Sequence, residues 1–122
     1  MMIVHLLLLA AGGFIGSLAR FAASTKWNGP FPKGTLAVNI LGALLIGILA
    51  GAGMTGRPYL FAATGFLGAF TTFSTLNLEL AEKVLAKQYK SLILYAVCTY
   101  AGGLGAAFAG YWLAKGLLGV LN

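Results

Sequence analysis

The sequence predicts an all-α integral membrane protein, a compact bundle of four transmembrane helices in which the third helix is broken. Three observations predict this fold class. The chain of 122 residues is 60% hydrophobic and only 8% charged, whereas a soluble domain is about 25% charged. Four long apolar stretches contain almost no charge, and glycines and threonines interrupt the third stretch.

Each apolar stretch is long enough to cross a bilayer as a helix. A hydrocarbon core of about 30 Å requires about 20 helical residues. We expect the spans at approximately 3–24, 34–54, 58–80 and 91–115. The connections between them are short, so residues 1–122 are expected to form a single membrane domain.

The net charge of +6 belongs to the ends of the predicted spans. Lysine and arginine there are typical of membrane helices, and no nucleic acid partner is expected. These residues are Lys26, Lys33, Arg57, Lys83, Lys87, Lys90 and Lys115. His5 and Cys98 each stand alone, with no grouped nucleophile, base and acid, so the chain is not expected to be an enzyme.

The 18 glycines are expected to lie at helix contacts. Small residues four positions apart let helix backbones approach closely in lipid. Such pairs occur in all four spans: Gly12/Gly16, Gly47/Gly51, Gly65/Ala69 and Gly102/Ala106/Gly110. A bundle packed this closely has little room for a wide pore, so a conduction path is expected at an interface between subunits.

A few polar side chains fall within the spans, where an unpaired polar group is costly. Thr35 and Asn39 share one helix face, and Tyr95 and Thr99 repeat the same spacing. They either line a pathway or make hydrogen bonds between helices, and Tyr95 alone also suits the membrane interface. Arg20 either attracts anions at a pore mouth or extends to the lipid headgroups.

The third span contains the most unusual segment, Gly65-Phe66-Leu67-Gly68-Ala69-Phe70-Thr71-Thr72-Phe73-Ser74-Thr75. Poor helix formers with hydroxyl groups predict a break near Thr71–Thr75, although a packing seam would have a similar composition. Carbonyls freed by a break are hard ligands for a small cation. Amide and hydroxyl donors and the ring edge of Phe73 suit an anion that only accepts hydrogen bonds, such as fluoride.

Three segments of the chain form a recognisable set. They are Gly12-Gly13-x-x-Gly16-x-x-x-Arg20, Gly34-Thr35-Leu36-x-Val38-Asn39-x-x-Gly42 and Gly65-Phe66-Leu67-Gly68-x-x-Thr71-Thr72-Phe73-Ser74-Thr75. Together they resemble the Fluc (CrcB) family of fluoride channels. The resemblance extends over nearly the whole chain, and its third segment is the most specific.

The resemblance implies an antiparallel dimer with two fluoride pathways and a central structural sodium ion. Backbone carbonyls of Gly68 and Thr71 would be this chain's sodium ligands. The side chains implied along each pathway are Asn39, Arg20, Phe73, Ser74 and Thr75, with Tyr95 and Thr99 from the fourth span; Thr35 shares the face of Asn39 and is included with them.

The sequence departs from the family pattern at two positions. Leu76 stands where the family usually has a second phenylalanine, and Gly103 stands where relatives often have a third polar residue. Lysine and arginine are also unevenly divided, since six of the 8 lie in or near the first and third loops. Such an imbalance favours one orientation, so an oppositely inserted paralogue is an alternative partner to a second copy.

The expected function is a fluoride-selective channel in the cell membrane that passively exports cytoplasmic fluoride and protects the cell from its toxicity. One alternative is a small multidrug-type antiporter, which needs a carboxylate within the membrane. Glu79 and Glu82, the 2 acidic residues, fall at the end of the third predicted span. The other alternative is a non-transporting membrane subunit.

Overall fold

Four helical spans form the protein, and this confirms the predicted fold class. The computed structural model describes residues 1–121. Four helical stretches in this range are long and apolar enough to cross a membrane: Met2–Trp27, Lys33–Gly51, Gly56–Leu85 and Tyr89–Gly119. The first two are helices α1 (Met2–Trp27) and α2 (Lys33–Gly51), and the fourth belongs to α6 (Tyr89–Leu121).

The third span is a series of helical segments. It begins with α3 (Gly56–Tyr59), continues as a π-helix (Leu60–Leu67) and ends its first half with α4 (Gly68–Phe70). After three non-helical residues, α5 (Ser74–Leu85) completes the crossing. The predicted break is therefore confirmed at Thr71–Phe73, and it is shorter than expected because Ser74 and Thr75 already belong to α5.

The first and third spans touch through their backbones. A Cβ atom on Gly12 would collide with the carbonyl oxygen of Phe61, and one on Gly16 would collide with that of Phe66. Both carbonyls belong to the π-helix, in which N–H groups bond to carbonyls five residues earlier. Alanine at either glycine would push α1 away from this segment.

Helices α2 and α6 make the second close contact. A Cβ on Gly47 would collide with the carbonyl oxygen of Ala107, and one on Gly110 with that of Leu44. The predicted close approach of helices through small residues is confirmed at both contacts. These two helix pairs are joined by a buried cluster of Ala23, Val38, Leu67 and Phe70.

The outward faces of the bundle are apolar. Phe14, Leu104 and Trp112 are each about two-thirds exposed, at 67%, 65% and 65%. In water such a surface would aggregate, whereas in a bilayer it meets lipid chains of the same polarity. The bundle thus presents its large side chains to lipid and keeps its small residues for helix contacts.

Candidate functional site

Asn39 holds the break in the third span. Its amide nitrogen donates to the carbonyl oxygen of Thr72 at 3.0 Å, and its Oδ1 accepts from the backbone N–H of Thr72 at 2.8 Å. Asn39 lies on α2, so this pair joins α2 to the backbone at the break. It satisfies both the N–H and the carbonyl of Thr72, which lies outside the helix. Backbone groups without a partner are costly in a membrane interior.

The same hydrogen bonds release two carbonyl groups from the helix. In a continuous α-helix the carbonyl of Gly68 would accept from Thr72, but that N–H donates to Asn39. The carbonyl of Thr71 would accept from Thr75, whose N–H instead donates to the hydroxyl of Thr72 at 3.3 Å. Both freed carbonyls are hard oxygen ligands, and their chemistry fits a small cation such as sodium.

A cavity of about 420 Å³ lies beside the break. Its lining includes the predicted site residues Asn39, Gly68, Thr71, Phe73 and Thr99. The hydroxyl of Thr99 is buried and has no hydrogen-bond partner among the described residues. Because a hydroxyl is both donor and acceptor, this one is free to donate to a molecule or ion in the cavity.

The aromatic residues near the break have different surroundings. Phe73 is 66% exposed on the surface of the chain, directly at the cavity. Phe70 is buried and stacks on Phe66 with ring centroids 5.4 Å apart. Leu76, at the position where the resemblance predicts a second phenylalanine, is 3% exposed and lines the same cavity.

Thr35 and Tyr95 form a second polar cluster, nearer the first loop, which joins α1 to α2 (residues 28–32). Both side chains are fully buried, with 0% exposure. Asn28 donates from its amide to the hydroxyl of Thr35 at 3.3 Å and caps α2 by accepting from the N–H groups of Gly34 and Thr35. Tyr95 donates to Glu79 Oε1 across a long hydrogen bond of 3.4 Å.

The structure brings some predicted site residues together and separates others. Asn39, Phe73 and Thr99 share the cavity, while Thr35 and Tyr95 lie in the second cluster. Ser74 is exposed in the first turn of α5, and Thr75 beside it is half-buried. Arg20 is half-buried on α1 and is not among the described residues that line the cavity.

Sequence reasoning missed the surroundings of two charged residues. Glu79 was expected at the end of the third span, but α5 continues to Leu85 and the carboxylate contacts Tyr95. Lys83 was expected at the polar end of a helix or in a short interfacial turn; it lies in the last turn of α5, but it is buried, with 5% exposure. The one available signal was their spacing of four residues, which places both on the same face of a helix.

Comparison with known proteins identifies the family. The sequence model for "CrcB-like protein, Camphor Resistance (CrcB)" matches residues 7–111. The chain belongs to the CrcB family. It is 42% identical over 113 residues to fluoride-specific ion channel FluC 1 of Geobacillus kaustophilus, which covers 89% of this chain and 97% of that protein.

Two other CrcB relatives are similar over nearly their full length. Fluoride-specific ion channel FluC 2 of Lactobacillus acidophilus is 37% identical, covering 91% of this chain and 98% of that protein. FluC 1 of Listeria monocytogenes is 38% identical, covering 92% and 98%. These relatives are named as ion channels, so the expectation of a multi-pass membrane protein of a channel family, and not an enzyme, is confirmed.

Proposed function

We propose that this CrcB protein is a fluoride channel whose pathway passes the cavity beside the broken span. One observation carries the proposal: the unpartnered hydroxyl of Thr99 shares that cavity with the amide of Asn39 and the ring of Phe73. Fluoride only accepts hydrogen bonds, so it needs donors to replace its water. Asn39 uses one of its two amide N–H groups on Thr72 and retains the other.

The rest of the pathway would follow the polar residues toward the first loop. Thr35 and Tyr95 would continue it on one side of Asn39, with Arg20 as the positive charge at its mouth. Ser74 and Thr75 begin α5, whose N-terminal N–H groups carry a positive partial charge. An anion at the break would therefore meet hydrogen-bond donors on both sides.

A second copy of the chain is the proposed partner. The cavity and Phe73 lie at the surface of one subunit, and a ring of this size exposed beside amide and hydroxyl groups is a natural subunit contact. An antiparallel dimer would enclose two such pathways. An oppositely inserted paralogue would serve the same purpose.

A structural sodium ion is proposed at the centre of the dimer. One subunit offers the freed carbonyls of Gly68 and Thr71, and the second copy would supply an equal pair. The ion's positive charge would offset the free energy cost of placing free carbonyl groups and a permeating anion in the low-dielectric interior of the membrane. It would hold the breaks together and take no part in conduction.

The direction of transport follows from the membrane potential. With the cell interior negative, an anion is driven outward by about 2.3 kcal/mol per 100 mV. Hydrogen fluoride enters through lipid and dissociates in a less acidic cytoplasm, where the anion is trapped. A passive channel in the cell membrane would therefore be sufficient to protect the cell.

Fluoride efflux from liposomes tests the proposed function. Purified protein is reconstituted into vesicles loaded with potassium fluoride, and valinomycin is added while an electrode records external fluoride. We expect rapid fluoride release and no comparable release from vesicles loaded with chloride. Release no faster than from protein-free vesicles would contradict the proposal, as would proton-coupled uptake of a cationic dye.

Subunit association in lipid tests the sodium site without measuring transport. Monomers obtained by dilution into lipid are allowed to reassociate in sodium or in choline salts. Because an ion held only by the dimer stabilises it by mass action, we expect association at least about tenfold stronger in sodium. Equal association in both salts would contradict a sodium ion at the dimer centre.

A further inference from the structure

Lys83 is a buried cation in the last turn of α5, beside the loop that joins α1 and α2. Its Nζ donates to Ser91 Oγ at 2.7 Å and lies 5.2 Å from the ring centroid of Phe31 and 5.9 Å from that of Tyr95. Ring faces partly compensate a buried ammonium. Lysine is nevertheless expensive at such a position, so its placement calls for a reason beyond packing.

The ammonium shares its surroundings with a carboxylate. Glu79 lies one helical turn before Lys83 on α5 and accepts from the hydroxyl of Tyr95, so the carboxylate lies at the hydroxyl of this side chain and the ammonium lies over its ring. Glu82 on α5 also faces Glu79, and Thr35 is the neutral neighbour from α2. Other lysines nearby, Lys87 and Lys90, are exposed.

A carboxylate at this position opposes anion passage in two ways. It repels a second negative charge, and water screens this half-buried side chain only in part. It also accepts a hydrogen bond from the Tyr95 hydroxyl, which is the donor that fluoride would need. This difficulty arises only if fluoride passes Tyr95, so the inference rests on the proposed function.

We propose that Lys83 is a positioning residue that makes this stretch of the pathway passable to an anion. Its charge counteracts the field of Glu79, and its contact with the Tyr95 ring holds that ring in place while the hydroxyl stays free to rotate. The hydroxyl is then able to turn from Glu79 to a passing fluoride ion. Lys83 itself does not need to touch fluoride.

Charge-removing variants test this role. Lys83→Met keeps the aliphatic chain and removes the charge, and we expect fluoride efflux at neutral pH to fall about ten- to hundredfold. Lys83→Arg should keep most of the rate. Lys87→Met, which removes an exposed charge from the neighbouring turn, is the matched control and should conduct like the wild type.

The double variant Glu79→Gln/Lys83→Met separates electrostatics from packing. We expect it to recover efflux to within about threefold of the wild type, because the carboxylate charge has also gone. Lys83→Met alone should regain rate as the pH falls, since protonation neutralises Glu79, and the double variant should lose this pH dependence. Protein-free vesicles correct for leakage of hydrogen fluoride.

The results distinguish this inference from the proposed function. If the wild type releases fluoride and Lys83→Met releases it at the same rate, the role of Lys83 is overturned but the proposed function is not. If the double variant is as slow as Lys83→Met, Lys83 acts by packing and the inference is overturned. The same conclusion follows if neither the single nor the double variant folds. Absence of wild-type efflux would overturn both proposals.

Discussion

Replacing Asn39 with leucine is expected to destabilise the subunit by about 2–6 kcal/mol and to abolish most fluoride efflux. Leucine preserves the size of the side chain but leaves both the N–H and the carbonyl of Thr72 without their partner. Each unsatisfied backbone group costs about 1–3 kcal/mol. The break would also lose its fixed geometry, and the cavity would lose an amide donor.

Reversible unfolding in mixed micelles measures the stability, and liposome efflux measures the transport. Asn77→Leu is the matched control, because it makes the same replacement at an exposed position on α5. It should change the free energy of unfolding by less than about 0.5 kcal/mol. An Asn39→Leu variant as stable as Asn77→Leu would show that the Asn39–Thr72 hydrogen bonds do not hold the break.

Replacing Phe73 with isoleucine is expected to reduce fluoride efflux at least about tenfold while leaving the fold of the subunit intact. The ring lies at the break with 66% exposure, so few contacts within the subunit depend on it. Isoleucine is apolar but has no electropositive ring edge with which to attract an anion. The loss should therefore appear in the rate and not in the stability.

Phe14 offers a closely matched control for this experiment. It is a phenylalanine of almost equal exposure, 67%, but it lies on α1 away from the cavity. Phe14→Ile should conduct fluoride at the wild-type rate. If both variants conduct equally well, Phe73 does not belong to the pathway.

Much of the fold follows from sequence because lipid leaves the backbone few choices. Each span must satisfy its own N–H and carbonyl groups, so hydropathy and length predict four helices. The break was also predictable, since glycines followed by Thr71, Thr72 and Phe73 are poor helix formers. The π-helix could not be predicted from the sequence, because the composition of Leu60–Leu67 is that of an ordinary apolar helix. What distinguishes this segment is its close packing against α1.

The candidate site was less accessible to sequence reasoning because its contacts join distant parts of the chain. The spacing of Thr35 and Asn39 predicts a shared helix face, but it does not reveal that Asn39 pairs with Thr72. In the sequence, Lys83 resembles its neighbours in the charged segment at the end of the third span. Its burial depends on Phe31, which the first loop folds against Tyr95 at a centroid distance of 5.5 Å.

The contact between α2 and α6 affects how the protein is assembled during biosynthesis. Helix α2 leaves the ribosome early, but the helix that packs against its Gly47 is α6, the last of the four spans in chain order. Until α6 enters the membrane, this surface must be occupied by lipid or by the insertion machinery. The bundle therefore closes after synthesis of the last span, and truncation within α6 should expose α2 to membrane quality control.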